Sequence, residues 1–210
     1  MSFDLGPEPT WLTCACGQQS AHVPCWDCSE AARAKAAQAE RNANLLASIP
    51  RRFRWARLDS PELAARCHLE GTSPQLAGAL VLRAAGAVFA GPAGSGKTSL
   101  AVACLQARGT GLFVPALRLG MARMQSGLGD GEAMPVEAAI RAPVLLLDDV
   151  GQEAKTATNA VKDVVFARHD AERPTWITTG LTTAQLAGLY GDGFVRRILE
   201  GAYAVRMGAK

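Results

Sequence analysis

The 210-residue chain has no long apolar run, no strong charge of either sign and no leader-like start. Its longest apolar region, Leu76 to Ala90, is interrupted by Arg83 and falls short of the roughly 20 unbroken residues that a membrane helix needs. Acidic Asp4 and Glu8 stand near the N-terminus without a basic-then-apolar pattern, so neither a signal peptide nor a membrane span is expected. The formal charge of +3 balances 22 basic against 19 acidic residues, which is too even to mark a nucleic-acid binder by itself. A cytoplasmic protein is the expectation. Thiols stay reduced there, so paired cysteines point to metal before disulfide.

Four of the six cysteines are paired in this way, as Cys14-x-Cys16 and Cys25-x-x-Cys28. Two close pairs across a short loop containing Gly17 and Pro24 can supply the four soft ligands of a tetrahedral Zn²⁺. The spacing is moderately specific: C-x-C is less common than C-x-x-C, His22 could replace one thiolate, and disulfides or free thiols are the alternatives. So short a segment cannot build a core, and its folding free energy would come mainly from the metal. Cys67 and Cys104 read as packing residues. An alanine-rich, charge-studded helix is expected over 29–46, ended by Ile49-Pro50. The expected organisation is a zinc-binding knuckle with its linker helix over 1–48 and a main domain over 49–210.

Gly91-Pro92-Ala93-Gly94-Ser95-Gly96-Lys97-Thr98 fits the phosphate-binding Walker A pattern G-x-x-x-x-G-K-[ST] at every fixed position and follows a short apolar segment. Glycines let the loop fold tightly around phosphate oxygens, and the following helix turns its positive end to the same anion. The loop and the adjoining Ser99 are the candidate ATP contacts, with Lys97 on the β- and γ-phosphates and the Thr98 hydroxyl on Mg²⁺.

Alternating β and α signals predict a parallel sheet flanked by helices, with strands at 87–90, 112–115, 144–148, 175–179 and 202–207. In Val144-Leu145-Leu146-Leu147-Asp148-Asp149 a doubly buried strand ends in two acids beside the phosphate loop. Asp148 is the candidate metal-side acid and Asp149 the water-activating acid. Transition-state charge needs a further cation, and Arg196 and Arg197 qualify, on a helix expected to bury Phe194, Val195, Ile198 and Leu199. A loop is expected over Gly127–Pro135. The run Arg51-Arg52-Phe53-Arg54-Trp55-Ala56-Arg57 has two readings: a nucleic-acid grip with stacking aromatics, or a linker whose aromatics pack on the main domain.

The phosphate loop, Leu147-Asp148-Asp149-Val150-Gly151, Arg173-Pro174-Thr175, Thr178-Thr179-Gly180-Leu181-Thr182, the Gly-Asp-x-x-x-x-Arg-Ile ending and the upstream Ile49-Pro50-Arg51-Arg52-Phe53 together resemble the DnaC/IstB branch of AAA+ ATPases. The resemblance covers about residues 49–207 and implies a P-loop NTPase with an AAA+ core and no C-terminal helical lid. The cysteine knuckle is similar to the metal-binding N-terminal domains of bacterial and phage helicase loaders. The family implies ATP hydrolysis, single-stranded DNA binding, self-association into an ATP-bridged oligomer, and a replicative DNA helicase gripped by the N-terminal domain. Arg197 matches the arginine that reaches a neighbouring subunit's ATP. Two positions depart from the pattern. Gly180 stands where an asparagine usually orients the γ-phosphate or water, leaving Thr178, Thr179, Thr182 or slow hydrolysis as outcomes. Gly193 stands where a second arginine is common. The reading is an ATP-dependent helicase loader in DNA replication. The alternatives are an IstB-like transposition helper ATPase, a nucleotide-binding scaffold that does not turn over, and a P-loop small-molecule kinase, a class that usually carries a mobile arginine-rich lid, for which this chain offers Arg118 and Arg123 between the phosphate loop and the acidic strand.

Overall fold

The computed structural model describes residues 10–126, 131–153 and 158–208. The acidic N-terminal positions and residues 127–130 of the expected glycine-rich loop lie outside the described residues. Two compact units divide the chain between Asn42 and Ala43, inside a helix.

In the first unit, strands β1 (Leu12–Thr13) and β2 (Gln19–Ser20) form an antiparallel hairpin that pairs Leu12 with Ser20 and Thr13 with Gln19. Helix α1 (Trp26–Ser48) follows, longer than expected at both ends, and its Asp27 sits in the first turn, where a negative charge suits the helix dipole. Cys14 and Cys25 are the only buried residues among those described in this unit.

The second unit is built on five parallel strands: β3 (Gly86–Ala90), β4 (Leu112–Pro115), β5 (Leu145–Asp148), β6 (Thr175–Thr179) and β7 (Ala202–Arg206). They lie in the order β4-β5-β6-β3-β7, so β3 sits between β6 and β7. The helices are α2 (Pro61–Arg66), α3 (Pro74–Arg83), α4 (Lys97–Arg108), α5 (Ala116–Gln125), α6 (Met134–Arg141), α7 (Thr158–Asp170), α8 (Thr183–Tyr190) and α9 (Asp192–Leu199), and residues 51–53 make a 3-10 turn.

The period-two alternation of a strand sorts side chains onto two faces, each with its own core. Ala87, Phe89, Phe113, Leu146, Trp176 and Val205 pack with α3 and α4 on one face. Val88, Val114, Leu145, Leu147 and Ile177 pack with α5 to α9 on the other. Strand β5 is therefore apolar at every position before its terminal acid, because both of its faces are covered. Each of its fully buried leucines contributes about 2–3 kcal/mol of transfer free energy.

Met207, expected in the last strand, forms an isolated antiparallel bridge with Leu69. On α9, Phe194 and Ile198 are buried as expected, but Leu199 is 39% exposed. Among the described residues no helix is long and apolar enough to cross a membrane.

Candidate nucleotide site and cysteine cluster

All five parallel strands present their C-terminal ends to one edge of the sheet, and the phosphate loop leaves β3 there. Two glycines are required by close approach. A Cβ at Gly91 would stand 2.3 Å from the Met207 carbonyl oxygen, and Gly96, with φ of +92°, would place one 2.8 Å from the Arg66 carbonyl oxygen. The loop is clamped from behind by residues 67–70. His68 N–H donates to Ser95 O at 3.1 Å, Gly208 N–H donates to His68 O at 2.7 Å, and Met207 N–H donates to Ala90 O at 2.9 Å.

Helix α4 starts at Lys97, so its positive end faces the loop. Lys97 is buried and its Nζ donates to Pro92 O at 2.7 Å. Burial lowers its pKa from the ordinary lysine value, and the charges of Asp149 and Asp148 act against that shift.

Asp148 is also buried. Its Oδ1 accepts the Thr178 hydroxyl at 2.7 Å and the Thr98 hydroxyl at 2.8 Å. Burial raises its pKa, and these two hydrogen bonds oppose the shift. Thr178 Oγ1 in turn accepts the Asp149 N–H at 2.9 Å, which helps hold exposed Asp149 in the left-handed region at φ 57°. The turn is fixed further by Val150 N–H on Thr178 O at 2.9 Å and Thr179 Oγ1–H on Val150 O at 2.8 Å. Buried Glu153 completes it, accepting from Gly151 N–H at 3.0 Å and from the Tyr190 hydroxyl.

Ala93, Gly94, Gly96, Lys97, Thr98, Ser99 and Asp149 line one cleft of about 550 Å³. Gly91 and Pro92 line a separate groove, bounded by Gly180 and Leu181, on the other side of the loop. Phe53, Ala65 and Arg66 form the remaining wall of the 550 Å³ cleft. Sequence reading missed these three in that role; the aromatic in the arginine-rich run was their one visible sign. Phe53 and Trp55 are half-buried and pack against the core, while Arg51, Arg52, Arg54 and Arg57 stay exposed. The aromatics of this run therefore serve packing and the cleft wall rather than free stacking surfaces.

Arg197 does not join this cleft. Its guanidinium lies 4.0 Å from the centroid of the Phe166 ring, and its Nη1 donates to Gly193 O at 3.2 Å. It borders a second cavity of about 410 Å³ at the opposite edge of the sheet, lined also by Gly86, His169, Arg173, Thr175 and Glu200.

In the first unit the sulfur atoms of Cys14, Cys16, Cys25 and Cys28 lie within 4.8 Å of one another. The Cys14–Cys28 and Cys16–Cys25 separations are 3.7 and 3.6 Å. Zinc–sulfur bonds of about 2.3 Å in a tetrahedron imply sulfur–sulfur edges of about 3.8 Å, so the cluster fits that ion. His22 is exposed and outside the cluster, its N–H donating to Ser20 Oγ at 3.3 Å. The Cys25 N–H donates to Cys14 Sγ at 3.4 Å and is the leading cause of a Cys14 pKa lowered to about 6. Gln18, unmarked in the sequence, links the site by accepting from Cys25 Sγ at 3.1 Å and donating to Asp27 at 3.1 Å. Cys67 Sγ rests 3.7 Å from Gly96 O behind the phosphate loop, and burial raises its pKa to about 11. Cys104 is fully buried.

A solved DnaC helicase loader superposes with a TM-score of 0.63 at 24% identity, covering 75% of this chain and 99% of that one. The chain has the DnaC-type AAA+ fold. DnaI gives a TM-score of 0.54 at 21% identity, over 71% of this chain and 95% of that one. AMPPCP-bound DnaA from Aquifex aeolicus gives 0.52 at 21% identity, over 70% of this chain and 50% of that one. No protein-family model matches the chain, and the curated proteins contain no match.

The threonines near Gly180 are already engaged. Thr178 holds Asp148 and Asp149, buried Thr179 donates to Val150 O, and Thr182 caps α8 in a reciprocal pair with Gln185. A Cβ added at Gly180 would meet only the Gly91 carbonyl oxygen, at 3.8 Å.

Proposed function

We propose that this chain is an ATP-dependent helicase loader acting in DNA replication: it binds single-stranded DNA and delivers a ring-shaped replicative helicase. The observation that carries the proposal is the cleft itself, in which Lys97, Thr98 and Asp149 converge beside buried Asp148 on a fold most like that of the loaders among the similar structures described. The first unit would grip the helicase, and the AAA+ domain would bind ATP and DNA, in the cytoplasm.

The residues fit the implied cofactors. The phosphate loop and Lys97 suit a triphosphate, whose negative charge would favour the lysine's ionised form against the burial that opposes it. The Thr98 hydroxyl and the Asp148 carboxylate, 2.8 Å apart, are hard oxygen donors suited to Mg²⁺, which would neutralise phosphate charge when bound. Asp149, held by Thr178, orients and polarises the attacking water. Arg197 would act on a neighbouring subunit's ATP, since within its own chain it stands at the far edge of the sheet. The four cysteines would hold Zn²⁺ and so supply the unit with the core that it lacks.

One observation favours a second reading. The open space at Gly180 points to slow hydrolysis, so that the nucleotide works more as a switch of partner affinity than as fuel. The kinase alternative loses support because Arg123 is not a mobile lid arginine: it is pinned by Glu132 and, at 2.6 Å, by Asp163.

The test is capture of the purified replicative helicase by the full chain in ATP and in ADP. Nucleotide-dependent capture that Lys97→Ala weakens supports the loader. Capture of a transposase in its place would move the assignment to transposition.

A further inference from the structure

Arg197 and Arg196 are adjacent on α9, yet only one is restrained. Arg196 is 66% exposed, with Glu200 3.9 Å away as its ion-pair partner. Arg197 is half-buried and held twice, by the Phe166 ring face at 4.0 Å and by Gly193 O at 3.2 Å. The ring sits on α7 and carries a second cation, Lys162, at 5.6 Å. A Cβ at Gly193 would lie 3.4 Å from Arg197 Nη1 and 3.7 Å from Phe166 Cζ, so a longer side chain there would compete for the same space.

We propose that Phe166 is the positioning residue for Arg197. Its ring face and the Gly193 carbonyl hold the guanidinium in one orientation, ready for the triphosphate bound by a neighbouring subunit. This rests on the reading that Arg197 acts between subunits. A solvent-borne arginine gives up rotamer freedom when it engages a phosphate, and restraint in advance removes that cost from the encounter. A guanidinium stacks favourably on an aromatic face, while Gly193 O takes only one of its nitrogens and leaves other donors for a phosphate. The absence of a side chain at 193 leaves the guanidinium and the ring the space that they share.

The experiment mixes subunits. Recipients carry Arg197→Ala and keep an intact cleft, while donors carry Lys97→Ala, so turnover arises only in recipient clefts served by donor arginines. Donors that add Phe166→Leu should lower the mixture's kcat by about three- to tenfold with KM for ATP unchanged, and Phe166→Tyr, which keeps the face, should restore it. Phe166→Met serves as the second ring-less variant should the leucine chain not fold. Should the Arg197→Ala protein alone turn over like wild type, or the unmodified mixture be dead, the inter-subunit reading fails and the proposal with it. If that reading holds but ring-less donors serve as well as ringed ones, Phe166 is packing only and the proposal alone is overturned. A rise in kcat would overturn it as well, since the ring would then be sequestering Arg197.

Discussion

Replacing Thr178 by valine keeps the shape of a fully buried side chain and removes one oxygen. That oxygen donates to Asp148 at 2.7 Å and accepts from the Asp149 N–H at 2.9 Å. A hydrogen bond to a buried carboxylate is worth about 1.5–3 kcal/mol and a neutral one about 0.5–1.5 kcal/mol, so the loss should total about 2–4 kcal/mol. In a folded unit of this size that lowers Tm by roughly 5–15 °C, measurable by calorimetry. Thr178→Ser keeps both bonds and should recover most of the loss.

The defect should also depend on pH. Burial raises the Asp148 pKa in the folded state, so its favourable contribution is complete below the unfolded value and is lost as pH rises through the folded one. Removing the Thr178 donor raises that pKa further, so the Thr178→Val defect should be larger near neutral pH than in acid. Turnover should fall as well, because Asp149 loses the bond that fixes its backbone. Valine and serine variants with equal Tm and equal kcat would refute the network.

Three other outcomes are expected. Arg168 is fully buried, has no carboxylate partner among the described residues, and donates to the carbonyls of Ala139, Ile140, Ala142 and Pro174 and to Thr175 Oγ1; Arg168→Met should cost about 3–5 kcal/mol in denaturant unfolding. Chelation should release one zinc per chain and unfold the first unit, seen as lost helical dichroism and changed Trp11 and Trp26 fluorescence, while the second unit's thermal transition persists; a chain that holds no metal would contradict this. Gly180→Asn has room and should raise ATP turnover by about tenfold, and an unchanged kcat would show that the missing side chain is not what limits the rate.

The local signals in the sequence were strong where one physical constraint acts on neighbouring residues. Strands β4 and β6 have their expected bounds and β3, β5 and β7 differ by one residue at an end, because apolar runs bounded by glycine, proline or acids allow little else. The phosphate loop and the cysteine pairs were legible for the same reason. What escaped is non-local. Thr178 links Asp148 and Asp149 only because β6 lies beside β5. Arg168 finds its acceptors from α6 and the start of β6, and nothing in its own neighbourhood marks it as buried. Arg66 reaches the cleft wall because the chain doubles back behind the phosphate loop. Met207 left the expected strand because Leu69 approaches it from that same segment.

The most direct test of the central claim is ATP turnover by the purified protein alone, with single-stranded DNA and with duplex DNA. The account predicts slow basal turnover, stimulation by single strands above duplex, and loss of all of it in Lys97→Ala. Turnover that depends on duplex and ignores single strands would contradict the loader assignment.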